Sequence, residues 1–514
     1  MRIERTKNAT RNIFWGIVEK LISILLPFIL RTVMIKVMGE EYLGLNSLFT
    51  SILSVLSITE LGIGSAIVFS MYRPIAEDDN ETMCALLNLY RKIYYVIGTI
   101  ILVAGLLILP ALPFLIKGDH PADINLYALY LIFLSNTVLS YYLFGYKTAL
   151  FSAYQRNDLL SKRTALVNLI SEVLKIGALI AFHNYYIYAV IIPLATVANN
   201  LINAYLAKKM YPDIVCRGKI SAEMKSGIKK RIVGLISFKI YGVVFNSVDT
   251  IVISSFLGLT PLAIYNNYYY VQTSISGFLV ILTTSITAGI GNKMVTNSKE
   301  ENYFDLKKFS FANAWITSWC SICLLCLYQH FMELWVGSSL VFPFFTMVLM
   351  VLYFFLPKIS CLTFTFREAA GLWWEDRFRP LVATAVNLVL NIALVKVIGM
   401  DGVIISTLIC TVFINIPWGT SILFKNYFER STKEFFMQIG FYTLITAIVG
   451  TLTYLVCMLL PKTGFFSLIG KGAICVIFPN LLFLLIYRKM PEFKYMESLI
   501  KRIFGKFNKK ISKS

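Results

Sequence analysis

Long apolar runs alternate with short polar stretches along the whole chain. A helix needs about 20 mostly apolar residues to cross a bilayer, whereas strands of a membrane β-barrel alternate over about 10 residues. The runs fit the helical pattern, so we predict an all-α polytopic membrane protein with about fourteen transmembrane helices. The predicted spans are 13–38, 45–71, 93–116, 126–146, 165–182, 187–207, 232–256, 262–290, 310–335, 342–365, 381–397, 402–423, 436–460 and 465–487.

The composition agrees with this prediction. Of the 514 residues, 57% are hydrophobic and 15% are charged, whereas soluble domains carry about 25% charged residues. The nine cysteines are scattered and do not indicate a disulfide framework. Cys320, Cys323 and Cys326 have the spacing of a metal motif, but they lie in an apolar run without a fourth clustered ligand. We therefore interpret them as packing residues and predict no metal and no cofactor.

The net charge of +20 first suggests a nucleic-acid partner, but its distribution excludes one. With the N-terminus inside, most basic residues lie on cytoplasmic loops, as the positive-inside rule requires. The richest basic segments are 208–231 and the tail 488–514. We therefore predict a multi-pass membrane protein with both termini in the cytoplasm. The tail is either an amphipathic helix on anionic lipid or a solvated segment.

An internal repeat relates the two halves of the chain. The pattern K-x18-G-x6-N that starts at Lys20 recurs as K-x18-G-x7-N from Lys239, and GIGSA at 62–66 matches GIGNK at 289–293. Six predicted spans separate the copies, so the halves have the same orientation. The predicted organisation is a six-helix bundle at 1–207, a basic linker at 208–231, a second bundle at 232–423, two added helices at 424–487 and the tail at 488–514.

With this repeat, the opening of the chain resembles a known superfamily. A polar N-terminus leads into a charged first span and then MGEEYLGLNSLFTSILSVLSITELGIGSAI. This arrangement resembles the multidrug/oligosaccharidyl-lipid/polysaccharide (MOP) exporters, and within them the Wzx-type flippases. The resemblance implies a MATE-like V-shaped pair of bundles, not an enzyme. It implies alternating access that carries an undecaprenyl-diphosphate-linked oligosaccharide to the outer leaflet, for capsule, O-antigen or exopolysaccharide synthesis. The implied partners are this substrate, membrane lipids, a polysaccharide polymerase and glycosyltransferases.

Such a cargo needs a cationic cavity for its diphosphate. Lys20 and Arg31 are eleven residues apart, about three helical turns, so they share a face. Lys239 repeats Lys20 in register. Arginine suits phosphate because its planar guanidinium donates two hydrogen bonds. We predict that these three residues bind substrate, although Arg31 could instead pair with Glu60 or extend to the interface.

Two carboxylates are candidates for coupling or charge pairing. Asp249 lies on the predicted seventh span and Glu60 on the second. Either would serve coupling to Na⁺ or H⁺, whereas an anionic cargo could also be driven by the membrane potential. Glu172 and Lys175 are three residues apart, which predicts a self-contained ion pair.

The predicted eighth span offers a candidate sugar surface. Asn266, Tyr270 and Thr273 recur at i, i+4 and i+7 and share a helix face. The alternative is an interfacial aromatic belt. Three other functions stay open: a MATE-like multidrug/cation antiporter, a lipid II-type flippase and, with least support, a membrane polysaccharide polymerase.

Overall fold

The computed structural model describes residues 5–60, 62–118, 120–461 and 463–498. Side chains at 5–10, 13, 59, 230, 231, 233–239, 246, 281–289, 292 and 295 lie outside this description, as does the tail from 499. The described residues form helices and turns, with no strand among them. The α-helices are α1 Arg5–Val37, α2 Glu40–Leu56, α3 Ile63–Ala76, α4 Asn80–Ile108, α5 Leu126–Tyr142, α6 Thr148–Ala153, α7 Asn157–Phe182, α8 Tyr185–Met210, α9 Ala222–Leu257, α10 Leu259–Thr296, α11 Lys299–Val336, α12 Phe344–Ile359, α13 Cys361–Ala369, α14 Arg379–Ile409, α15 Ile416–Leu423, α16 Lys433–Cys457 and α17 Phe465–Tyr487.

Membrane-spanning helices dominate the described chain. Nine helical segments within it are long and apolar enough to cross a membrane, or ten if the bent pair Leu126–Tyr142 and Gly145–Ala153 counts as one. The predicted all-α polytopic class is therefore confirmed, whereas the count of fourteen is not. One segment, Arg379–Phe428, has 50 residues and would extend about 75 Å if straight. It breaks at Ile398 and Gly399, between the predicted spans 381–397 and 402–423.

Polar and apolar side chains are distributed as expected for a protein surrounded by lipid. On α14, Asn387 and Asn391 are fully buried, whereas Val389 between them is 66% exposed. Asn387 Nδ2 donates to Thr407 Oγ1 at 3.0 Å, across the break in the same helix. Lipid hydrocarbon cannot form hydrogen bonds with polar side chains, so amides inside a membrane protein bond between helical segments instead. The apolar outer face and the bonded polar interior support a multi-pass membrane protein.

The second predicted span, 45–71, is interrupted. Helix α2 ends at Leu56, a 3-10 turn covers Ser57–Glu60, and α3 starts only at Ile63. Gly62 precedes α3 with φ +92°, a left-handed conformation that glycine adopts without a Cβ clash. Irregular backbone inside a membrane is tolerated where protein or a cavity covers it. The break therefore points to a polar environment around Glu60.

The chain divides into two compact units, Met1–Asn266 and Asn267–Ser514. In the first unit, Phe49 packs edge-on against Tyr130 and Phe133 at 5.6 and 5.7 Å. In the second unit, Phe311 packs against Tyr487 with ring centroids 5.4 Å apart. The predicted domain boundaries stay predictions.

Candidate functional site

A cavity of about 560 Å³ opens inside the first unit. Helices α1, α2, α5, α7, α8 and α9 and the turn after α2 contribute to its wall. A cavity of this size falls within the range of small-molecule sites, about 300–1,000 Å³. Its lining residues are Pro27, Leu30, Arg31, Met34, Leu43, Asn46, Thr50, Leu53, Ser54, Ser57, Glu60, Phe133, Asn136, Thr137, Glu172, Lys175, Tyr188, Ile192 and Val243.

Two basic side chains lie on the described part of this wall. Arg31 comes from α1, one turn after Pro27. Lys175 comes from α7, where its Nζ lies 2.5 Å from Glu172 Oε1 and 5.8 Å from the centre of the Tyr188 ring. The predicted i, i+3 ion pair is thus confirmed, and it faces the cavity. Tyr188 in turn accepts a hydrogen bond from Asn46 Nδ2 at 3.1 Å, so this part of the wall is held in place.

Glu60 lies in the break of the second span, with tyrosines bound to both of its carboxylate oxygens. Tyr94 donates to Oε1 at 2.7 Å and Tyr141 donates to Oε2 at 2.6 Å. Tyr90 donates to Tyr94 at 2.9 Å. Hydrogen bonds to a charged acceptor are short and strong. Tyrosines therefore hold this carboxylate at the edge of the cavity.

A polar stripe runs along α2 on the cavity side. Asn46, Thr50, Ser54 and Ser57 recur at about one-turn intervals and all line the cavity. Thr50 and Ser54 donate to backbone carbonyls four residues earlier, each at 2.7 Å, which is a common bond of hydroxyls in helices. Each hydroxyl oxygen can still accept a hydrogen bond. The stripe therefore presents acceptors to whatever enters the cavity.

Of the other predicted site residues, Lys20 and Asp249 do not line this cavity. Lys20 lies three turns before Arg31 on α1, as its spacing indicated, and is not among the cavity-lining residues. Lys239 falls within α9, but its side chain lies outside the described residues. Asp249 is fully buried and accepts a hydrogen bond from Tyr265 at 3.3 Å.

The predicted sugar surface lies along α10. Asn266 is buried, and its Nδ2 donates to Leu262 O at 2.9 Å within the helix. Thr273 is exposed, and its Oγ1 donates to Tyr270 O at 3.0 Å. Tyr270 is half-buried. None of the three lines the cavity of the first unit, and their role as sugar contacts stays a prediction.

Comparison with known proteins identifies the family. The model of a family described as "Polysaccharide biosynthesis protein" matches residues 9–287, more than half of the chain. The chain belongs to this family. The matched region contains every described residue of the cavity wall. A search of curated proteins finds no match.

Solved structures similar to this polysaccharide biosynthesis protein show its fold. The lipid II flippase MurJ, in an inward closed conformation, aligns with TM-score 0.62 and 15% identity, covering 93% of this chain and 99% of that one. An inward-facing MATE multidrug transporter of the MOP superfamily aligns with TM-score 0.55 and 14% identity, over 83% and 95%. A mutant of the Vibrio cholerae MATE transporter VcmN aligns with TM-score 0.54 and 13% identity, over 84% and 98%. The predicted likeness to MOP exporters is thus confirmed at the level of the fold.

Several cavity residues of this family member were not predicted as site residues. Lys175 was assigned to a local ion pair because the i, i+3 spacing alone shows no cavity. Tyr188 on the wall carries no local signal, since tyrosines are common in membrane helices. The same holds for Tyr94 and Tyr141, which bind Glu60 without lining the cavity. The spacing of Asn46, Thr50, Ser54 and Ser57 is visible in the sequence and could have revealed the polar stripe.

Proposed function

We propose that this protein moves an undecaprenyl-diphosphate-linked oligosaccharide from the cytoplasmic to the outer leaflet of the bacterial cell membrane by alternating access. The observation that carries the proposal is a polar cavity with Arg31 on its wall, inside a membrane unit that matches a polysaccharide biosynthesis family. The activity is that of a transporter rather than of an enzyme. The product would feed capsule, O-antigen or exopolysaccharide synthesis.

Arg31 is the proposed contact for the diphosphate. Its guanidinium can donate two parallel hydrogen bonds to phosphate oxygens. Lys175 already pairs with Glu172, so it supplies a second positive charge only when the pair rearranges. The formal charge of the described wall is balanced, with Arg31 and Lys175 against Glu60 and Glu172. Lys20, which does not line this cavity, and Lys239, whose side chain lies outside the described residues, remain proposed cationic contacts.

The polar stripe on α2 is the proposed contact for the sugars. Sugar hydroxyls both donate and accept hydrogen bonds. Thr50 and Ser54 offer hydroxyl oxygens as acceptors, and Asn46 lies at one end of this row. Distributed hydrogen bonds of this kind fix orientation without a single recognition motif. On α10, Asn266, Tyr270 and Thr273 remain proposed further contacts.

The driving force is proposed to be the membrane potential, with an ion gradient as the alternative. A potential that is negative inside favours outward movement of an anion by about 2.3 kcal/mol per charge per 100 mV. Glu60, at the cavity edge, is the proposed carboxylate for H⁺ or Na⁺ coupling, and Asp249 the second candidate. The proposed partners are glycosyltransferases that supply the cargo and a polymerase that consumes it.

The decisive experiment replaces the chromosomal gene by the Arg31→Ala variant in a strain that lacks other flippases. We expect loss of surface polysaccharide and accumulation of the lipid-linked precursor on the cytoplasmic leaflet, with normal protein in the membrane. The matched control is Arg73→Ala, because Arg73 is exposed and pairs at 2.8 Å with Glu77, the residue that follows α3. Normal surface polysaccharide in the Arg31 variant would contradict the proposal.

A MATE-like antiporter is the second candidate, because two carboxylates lie on the cavity wall. That function predicts resistance to cationic drugs on overexpression and loss of resistance in Glu60→Gln. A deletion strain with unchanged drug sensitivity and absent surface polysaccharide would separate the two functions. A lipid II-type flippase would instead make the gene essential for peptidoglycan synthesis.

A further inference from the structure

Three cysteine thiols meet in the interior of the second unit. Cys326 comes from α11, Cys457 ends α16 and Cys475 lies in the middle of α17. Their sulfur atoms all lie within 4.8 Å of one another, and all three residues are buried. The Sγ atoms of Cys457 and Cys475 are 3.9 Å apart. Three different helices therefore bring their thiols to one point.

A fourth thiol lies beside the cluster. Cys323 precedes Cys326 by three residues on α11, so the two thiols share a helix face. The Cys323 side chain packs against the same buried core that contains the three clustered thiols. Tetrahedral zinc with Zn–S bonds of about 2.3 Å places its sulfur ligands about 3.8 Å apart. The separation of Cys457 and Cys475 already matches this geometry.

A buried cation lies on the cavity next to these thiols. Cys326, Cys457, Lys471 and His330 line a cavity of about 280 Å³. Lys471 is 7% exposed and its Nζ lies 3.2 Å from His330 Nδ1. His330 Nε2 faces Gly464 O at 3.0 Å, which fits a proton on Nε2 and a lone pair toward the lysine.

The described polar side-chain partner of Lys471 is the His330 imidazole, and the Glu333 carboxylate lines the same cavity. A buried ammonium is costly unless an anion lies near it. Besides Glu333, the nearby thiols can supply such an anion, because an adjacent ammonium favours the thiolate. The cavity is lined by Cys326 and Cys457, two of the three clustered cysteines.

We propose that Cys326, Cys457 and Cys475 bind a Zn²⁺ ion as thiolates, with a water from the adjoining cavity as fourth ligand. Binding converts three thiols to thiolates and releases three protons. Zn²⁺ with three thiolates has a charge of −1, which the Lys471 ammonium offsets. Cu⁺ with the same three thiolates would have a net charge of −2, which one ammonium does not offset, so the charge balance favours Zn²⁺. The ion would tie α16 and α17 to α11.

The test uses the full-length protein, purified in detergent with a phosphine reductant, loaded with Zn²⁺ and desalted. We expect one zinc per chain by mass spectrometry, and none in Cys457→Ser or Cys475→Ser. Cys320→Ser is the matched control, because Cys320 lies on α11 outside the cluster, and it should retain the zinc. Co²⁺ in place of Zn²⁺ should show sulfur-to-cobalt charge-transfer bands that the two serine variants lack.

Lys471→Met should weaken Zn²⁺ affinity by about 10–100-fold in a chelator competition, as for other groups that support a metal site. Gel filtration shows whether a variant that has lost the metal is still folded. If a serine variant aggregates, Cys475→Ala takes its place. Zinc in the native protein no higher than in the serine variants would overturn the proposal. A Cys457–Cys475 disulfide trapped in intact cells, or Cu⁺ bound in preference to Zn²⁺, would overturn it as well.

Discussion

Gly39 and Gly258 have nearly the same backbone conformation, with φ and ψ of +109° and 166° in one and +101° and −175° in the other. Each residue joins two long helices, and the two are equivalent in the sequence repeat. This region of conformational space is essentially restricted to glycine. The two copies of the repeat therefore share the backbone conformation of this turn as well as its glycine.

Alanine at either glycine should lower stability by about 1–3 kcal/mol because of backbone strain. Gly258→Ala should cost more, since its Cβ would lie 2.9 Å from Lys117 O, whereas nothing lies within 4 Å at Gly39. Thermal unfolding of the purified variants measures both effects. Gly177→Ala is the control: this helical glycine also has nothing within 4 Å, so alanine should be neutral or stabilising. Equal behaviour of all three variants would contradict the strain argument.

The ion pair on the cavity wall should behave as a buried unit. Lys175→Met leaves the Glu172 carboxylate without its cation, and breaking a buried pair costs about 3–5 kcal/mol. The coupling energy of the pair follows from the free energies of unfolding of three variants, Lys175→Met, Glu172→Gln and the double variant. We expect the double variant to regain most of the lost stability but not transport. Additive losses would show that the two side chains do not interact.

Glu60 should matter for coupling if a proton gradient contributes to transport. Glu60→Gln removes the negative charge but retains one side-chain oxygen, which can still accept a hydrogen bond from one of the two tyrosines. We expect transport into vesicles to keep its response to membrane potential and to lose its response to a pH gradient. Glu77→Gln is the control, because Glu77 is an exposed carboxylate on the protein surface. An unchanged pH response in Glu60→Gln would exclude this carboxylate from coupling.

The polar stripe should affect the cargo rather than the fold. Thr50→Val keeps the shape of the side chain and removes the hydroxyl, as Ser54→Ala does at the next turn. One hydrogen bond is worth about 0.5–1.5 kcal/mol, so each change should reduce transport by about 2–12-fold. Surface polysaccharide and thermal stability should be measured together. Unchanged transport in the double variant would remove the stripe from the proposed substrate contacts.

In the second unit, Asp376 bonds two arginines in a fully buried cluster. Arg379 donates to it twice, at 2.7 and 2.8 Å, and Arg367 lies 3.0 Å away. Asp376→Asn would leave the two guanidinium groups without this shared carboxylate, and we expect a loss of about 3–5 kcal/mol. Glu300→Gln, whose side chain is 69% exposed beside Arg430, should change stability by less than about 1 kcal/mol. Similar losses of stability in the two variants would show that burial does not set the strength of these ion pairs.

The sequence alone determined the membrane class, the repeat and the family. Apolar length is a local property, so the boundary between the predicted spans 381–397 and 402–423 coincides with the break at Ile398 and Gly399. The repeat placed Gly39 and Gly258 in equivalent turns because their backbone conformation excludes other residues. Arg31 was also predicted as a cavity residue and lies on the cavity wall.

Only the tertiary structure decided which distant side chains meet. Tyr94 and Tyr141 are 34 and 81 residues away from Glu60, and no local pattern links them. The cysteine spacing on α11 was interpreted as packing because Cys457 and Cys475 lie far away in the sequence. Hydropathy defines which segments cross the membrane, but the packing of those segments sets which faces turn toward each other. The cavity and the thiol cluster depend on that packing.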